Sequence, residues 1–192
     1  MVVRLLLASR SPRRAELLMA AGFEFDVAPA AELDESRAGD EAPEAYVVRL
    51  AEAKAAHVSS RNADRCVIGA DTAVVVFGRV LGKPRDDADA VEMLRLLSGH
   101  THRVLTGVAV HAGERRAHAV DTTLVRVARL HEEEIAWYVS TAEPRDKAGA
   151  YAIQGLASRF VTAIEGSYTN VVGLPIPTLC RLLRVVTREA QL

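Results

Sequence analysis

The chain has 192 residues, 49% of them hydrophobic, which is enough to bury a sizeable core in one domain or two closely joined lobes. Its 24 basic and 25 acidic residues leave a formal net charge of -1, so no global field draws it to nucleic acid or to an anionic membrane. No apolar stretch is long enough to span a bilayer, and nothing at the N-terminus resembles a signal peptide. The two cysteines, Cys66 and Cys180, have neither metal-ligand spacing nor a disulfide framework, and a reduced, cytoplasmic protein is the expectation. The basic residues are 21 arginines and only three lysines, Lys54, Lys83 and Lys147. A lysine is a compact mobile charge that arginine does not copy, so the places of these three are of interest.

Val2 to Ala8 reads as a buried strand leading into SRSPRR. Ser11 and Pro12 open a helix as N-cap and first residue, and it stops at Gly22. A strand end, a short loop and a helix N-terminus carrying Arg13 and Arg14 suit a phosphate; the alternative is two arginines facing water on a first turn. Phe23 to Ala28 alternates as a half-buried strand, and the acidic stretch Pro29 to Pro43 reads as a surface loop or a cleft rim. Glu44 to about Val58 is a helix with Val47, Leu50, Ala51 and Lys54 on one stripe. Lys54 either snorkels to water or points its charge into a cleft.

Val67 to Pro84, VIGADTAVVVFGRVLGKP, reads as a hairpin turning at Gly78-Arg79. It places Asp71 at a strand end and returns Lys83 to the same region, a pairing that suits a metal ion and a polyanion or, more blandly, an ordinary salt bridge. Asp86 and Asp87 open a helix with Val91, Leu94 and Leu97 on its apolar face. Thr101 to Ala112 and Arg115 to Val127 form a long hairpin, with His100 and His102 as surface polar positions. Glu132 to Ser140 is a short helix containing Trp137. Residues 143 to 155, EPRDKAGAYAIQG, are irregular, and Gln154 offers a donor and an acceptor to a base edge unless the stretch is simply a polar loop. Phe160 to Ile164 is a strand, and Pro175 and Pro177 introduce a last helix to about Thr187. With no Walker-type loop, serine elbow or histidine-rich motif, pattern alone reaches a mixed α and β protein with several anion-binding points.

The segments LLLASRSPRR, LAEAKA, GADT, LGKP, LSGHTHRVLTGVAV, DKAGAYAIQG and GSYTNVVGLP, in this order, resemble the Maf family of nucleotide pyrophosphatases over almost the whole chain. GADT followed by DKAGAYAIQG looks like the branch acting on dTTP and UTP. A local departure is VRVARL, where many relatives carry an aromatic in a packing position. The resemblance implies one α/β domain over residues 1–192, like that of the inosine triphosphatases. Its mixed, strongly curved central sheet would carry flanking helices and form two lobes around a deep cleft. It implies a cytoplasmic homodimer that hydrolyses dTTP and UTP at the α-β bond with Mg²⁺ or Mn²⁺, with modified pyrimidine triphosphates as a further candidate substrate class. No nucleic acid or membrane partner is implied.

By the same resemblance Asp71 is the general base, assisted by Lys54 and Lys83. Ser9, Arg13, Arg14, Thr72 and Gln154 bind substrate, and Glu35 and Asp71 hold the metal. The charges agree with this: Arg13, Arg14, Lys54 and Lys83 balance a triphosphate locally, and two carboxylates supply the hard oxygens that Mg²⁺ requires. Asp71 either deprotonates the attacking water or mainly orients it. The alternative is a nucleotide-binding regulatory protein linked to septum formation, against which stands the intact set Glu35, Lys54, Asp71 and Lys83.

Overall fold

The computed structural model describes residues 5–30 and 33–187. The expected first strand is found as β1 (Leu5–Leu7), its residues before Leu5 lying outside the described ones. Next come α1 (Pro12–Ala20), β2 (Phe25–Val27), α2 (Pro43–Ser59), β3 (Cys66–Val76), β4 (Arg79–Leu81), α3 (Asp87–Leu97), β5 (Thr101–Ala112) and β6 (Arg115–Val127). The chain closes with α4 (Glu132–Ser140), three short 3-10 turns, β7 (Val161–Glu165), α5 (Tyr168–Val172) and α6 (Ile176–Thr187). Among the described residues no helix is long and apolar enough to cross a membrane.

The strands follow the order β2-β1-β3-β5-β6-β7, with β4 pairing β3. β1 is parallel to both β2 and β3, whereas β3–β4 and β6–β7 are antiparallel, so the sheet is mixed. The strongly curved sheet expected from the sequence is not what forms. The strand path is open, ending on β2 at one edge and β7 at the other. Strong coiling needs closure or repeated bulges. Here the parallel strands are joined by helical crossovers that cover an open sheet.

The chain divides into two compact units. The first takes the described parts of Met1–Asp71, Thr106–Asp121 and Gly173–Leu192. Strand alternation sorts its core into two layers. Leu5, Leu7, Ile68, Ala70, Val108 and Val110 pack with Leu18 of α1 and Leu179, Leu182 and Val186 of α6. Leu6, Ala8, Val67 and Ala109 point the other way, onto Ala51, Ala55 and Val58 of α2. Helix α2 lies unusually close on that face. A Cβ on Gly69 would stand 2.1 Å from Ala51 O, and one on Gly107 would stand 2.3 Å from Val47 O, so only glycine permits the contact at either strand.

The second unit comprises Thr72–Leu105 and Thr122–Val172. Its hairpin turns at Phe77–Gly78, with φ of 50° and 75°, and Val76 pairs Arg79. The turn therefore falls one residue earlier than the sequence suggests, because a two-residue connection requires positive φ at both positions. Helix α3 is capped by Asp86, whose carboxylate accepts the Asp89 N–H at 2.7 Å. His102 is buried, 2% exposed, with Nε2 2.8 Å from the Tyr151 hydroxyl, and is not the surface position expected. Burial pushes its imidazole down to about 4, so the ring is neutral near pH 7. Trp137 packs edge-on to Phe160 and carries the Arg159 guanidinium 4.6 Å over its ring.

Candidate active site

Ser9, Arg13, Arg14, Glu35, Lys54 and Asp71 belong to the first unit; Thr72, Lys83 and Gln154 belong to the second. Asp71 lies within β3, not at a strand end, on the same face as Val67 and Gly69. That face meets α2, and the close approach at Gly69 brings the next inward position on the strand within reach of the helix. Lys54 stands on α2 one turn beyond Leu50 and between the packed residues Ala51 and Ala55. Its ammonium donates to Asp71 Oδ1 at 2.6 Å and also lies 2.6 Å from Glu35 Oε1. Of the two readings of Lys54 from the sequence, its charge is directed at acids and not simply snorkelled to water.

The three side chains differ in exposure. Those of Lys54 and Asp71 are 14% and 13% exposed, whereas that of Glu35 is 52% exposed. A largely desolvated pair attracts more strongly, while the exposed carboxylate is screened by water. Glu35 sits on the segment before α2, where its backbone carbonyl accepts the Tyr46 hydroxyl at 2.9 Å. Tyr46 was not singled out in the sequence, although Tyr46, Leu50 and Lys54 recur at four-residue spacing along one side of α2. Burial, reinforced by the Asp71 and Glu35 charges, raises its phenol above the ordinary value and keeps it a neutral donor.

The turn into α1 is built around Ser9, which is buried and whose Oγ accepts the Ser11 N–H at 3.2 Å and Arg14 Nη1 at 3.1 Å. Arg14 points inward. Its Nη1 also donates to Ala70 O at 2.8 Å, and its Nε to Gly173 O at 2.8 Å. Burial lowers the guanidinium below its usual value, opposed first by the Asp71 carboxylate. Arg14 thus braces the backbone immediately before Asp71. Arg13, its neighbour on the first turn of α1, is only half-buried.

In the second unit Thr72 follows Asp71 along β3 and is half-buried. Lys83 and Gln154 are both exposed. Lys83 comes two residues after Leu81, whose register partner is Val74, so the chain after β4 heads back along β3 toward Thr72. Gly82 O accepts the Gly149 N–H at 3.0 Å, which ties this segment to the loop leading to Gln154.

The carboxylates of Glu35 and Asp71 converge on one point, marked by Lys54 Nζ, and offer the hard oxygens that suit Mg²⁺ or Mn²⁺. Among the described residues no group of three or more His, Cys, Asp and Glu side chains stands ready to hold a metal. The donor set fits a divalent ion that brings part of its coordination with it, as Mg²⁺ does when it arrives on phosphate oxygens and water.

A family model described as Maf-like protein matches residues 4–186. The dTTP/UTP pyrophosphatase of Koribacter versatilis (strain Ellin345) is 52% identical over 180 residues, covering 94% of this chain and 93% of that protein. The dTTP/UTP pyrophosphatase of Geobacter sulfurreducens (strain ATCC 51573 / DSM 12127 / PCA) is 50% identical over 183 residues, covering 94% and 95%. Among solved structures, a HAM1 protein from Coxiella burnetii aligns with a TM-score of 0.56 at 16% identity, covering 98% of this chain and 100% of that one. At that identity the likeness is one of fold.

Proposed function

The chain belongs to the Maf family, in its dTTP/UTP pyrophosphatase branch, and we infer that it hydrolyses dTTP and UTP to the nucleoside monophosphate and pyrophosphate with Asp71 as the residue that handles the attacking water. The observation carrying this assignment is the Lys54 ammonium held 2.6 Å from both Asp71 and Glu35. It supports a site in which one cation orders two acids where phosphate chemistry needs both.

In this reading Asp71 accepts a hydrogen bond from water and takes its proton as the oxygen bonds to the α phosphorus; the bond to the bridging oxygen breaks and pyrophosphate leaves. Lys54 fixes the Asp71 carboxylate and offsets the negative charge that builds on the phosphate oxygens as the water attacks. Arg13 and Lys83 contact phosphate oxygens, while Ser9 and Arg14 hold the turn and the Ala70 carbonyl in place. Thr72 and Gln154 meet the base. Glu35 and Asp71 would hold a divalent ion, which withdraws charge from the phosphates and makes the attacking water more acidic. By the family resemblance, residues 1–192 act as a single domain and the working form is a cytoplasmic homodimer.

Hydrolysis in ¹⁸O-labelled water tests the reaction. Attack at the α phosphorus puts the label into dTMP or UMP and none into pyrophosphate. Orthophosphate with dTDP or UDP as first products would overturn the assignment.

A further inference from the structure

Gln154 is presented by a turn whose two flanks are fastened to the same pair of side chains. The Gly155 N–H donates to Ala152 O at 3.0 Å, closing a four-residue turn with Ile153 and Gln154 at its apex. Ahead of the apex, the Ala152 N–H donates to the Tyr138 hydroxyl at 3.2 Å. Behind it, the Leu156 N–H donates to Glu143 Oε2 at 3.0 Å, and the Ala157 N–H to Oε1 at 3.4 Å. The two anchors are themselves joined, Tyr138 O–H donating to Glu143 Oε1 at 2.9 Å.

This clamp is specific in its parts. A Cβ on Gly155 would lie 2.4 Å from Glu143 Oε2, so the acid approaches this closely only because position 155 is glycine. The carboxylate meets donors alone, which an acceptor-only group satisfies and an amide does not. Tyr138 is completely buried, and burial, reinforced by the bond to Glu143, raises its phenol well above the usual range. It therefore stays protonated, donating to Glu143 while accepting from Ala152. Lys147 Nζ in turn donates to the Glu143 carbonyl at 3.1 Å and secures the anchor's own backbone.

We propose that Glu143 and Tyr138 are positioning residues that hold the Gln154 turn rigid and thereby set the preference for thymine and uracil over cytosine. The proposal rests on the reading of Gln154 as a residue that meets the base. Uracil and thymine present an N–H beside a carbonyl where cytosine presents a bare nitrogen beside an amino group. A glutamine amide matches either edge by turning over, so it discriminates only when its backbone is held where one of the two amide orientations alone suits the rest of the site. An exposed glutamine on a loose loop would lack that constraint. Neither Glu143 nor Tyr138 has to touch the nucleotide.

The test measures kcat and KM for dTTP and dCTP in the wild type, Glu143→Gln, Tyr138→Phe, Gln154→Ala and the Glu143→Gln/Gln154→Ala double variant. The dTTP-to-dCTP ratio of kcat/KM should fall about three- to tenfold in Glu143→Gln and in Tyr138→Phe, through KM more than kcat. The double variant should match Gln154→Ala alone, since the clamp acts through that side chain. Tyr138→Phe deletes one hydroxyl and keeps the ring, which leaves a folded variant should Glu143→Gln prove unstable. If Gln154→Ala lowers the ratio while the clamp variants leave it within about twofold of wild type, the proposal is overturned and the role of Gln154 stands. If Gln154→Ala itself leaves the ratio unchanged, the role of Gln154 falls and the proposal falls with it.

Discussion

The ammonium of Lys54 and the carboxylate of Asp71 meet at 2.6 Å, both largely withdrawn from solvent, across the contact of helix α2 with strand β3. A pair in that setting is costly to break from one side, because the remaining charge keeps its desolvation and loses its partner. Glu35 shares the same ammonium from a more exposed position. One lysine therefore orders two acids of unequal exposure, and this arrangement sets the expectations that follow.

Asp71→Asn should lower kcat for dTTP by roughly 10²-fold or more, with a much smaller change in KM, since the amide fills the same space but takes no proton. Steady-state kinetics with Mg²⁺ decide it. A kcat within about threefold of wild type would remove Asp71 from the chemistry.

Gly69→Ala should disturb the same pair without touching either residue. The new Cβ would fall 2.1 Å from Ala51 O, so α2 must shift away from β3 and carry Lys54 with it. Overpacking of this kind costs about 1–3 kcal/mol. Both the melting temperature and kcat should drop, whereas Gly78→Ala, at an open turn, should strain only the hairpin and leave kcat near wild type. Equal kcat in Gly69→Ala and the wild type would show that the close contact is not what aims Lys54.

Arg14→Ala should destabilise the fold more than Arg13→Ala. It strips partners from Ala70 O, Gly173 O and Ser9 Oγ in the interior, a loss on the order of 2–4 kcal/mol. Urea denaturation of both variants measures the difference. Similar midpoints would mean that Arg14 contributes no more to the fold than its half-buried neighbour.

Stability should fall as pH drops from about 6.5 to about 4, in part through His102. The unfolded ring takes a proton near 6.5 and the folded one only near 4, so between these values the unfolded state binds more protons and acid favours it. The contribution is complete above the window and lost below it, on the order of 3 kcal/mol. His102→Gln should flatten that part of the urea-midpoint profile. An unchanged slope would place the acid sensitivity in other groups.

Metal affinity should depend on the nucleotide. Two carboxylates make an incomplete set for Mg²⁺, so calorimetry should detect weak binding of Mg²⁺ alone and much tighter binding with a non-hydrolysable dTTP analogue present. Glu35→Gln should reduce both. Tight binding of Mg²⁺ without nucleotide would require a fuller protein ligand set than Glu35 and Asp71.

Much of this molecule can be read locally. The hairpin strands Thr101–Ala112 and Arg115–Val127 and the helix Glu132–Ser140 coincide with their sequence patterns, because alternation, helical spacing and turn residues act over a few positions. The short helix Tyr168–Val172 carries no such signal and emerges only in the fold. The ordered motifs, from SRSPRR to GSYTNVVGLP, likewise pointed to the family without any contact being known. The sequence left open whether Lys54 snorkelled to water or pointed into a cleft and whether Arg13 and Arg14 faced outward, and it misplaced His102 at the surface and the sheet's curvature.

Each of those was decided by partners far along the chain. Arg14 is drawn inward by carbonyls 56 and 159 residues away, Lys54 by a glycine contact that puts α2 against β3, and His102 by a tyrosine 49 residues on. A polar side chain can be buried only where distant groups supply its hydrogen bonds, and periodicity carries no record of them. The open sheet has the same origin: strand order and edges are set by which strands find each other through the crossovers, not by the pattern within any one strand.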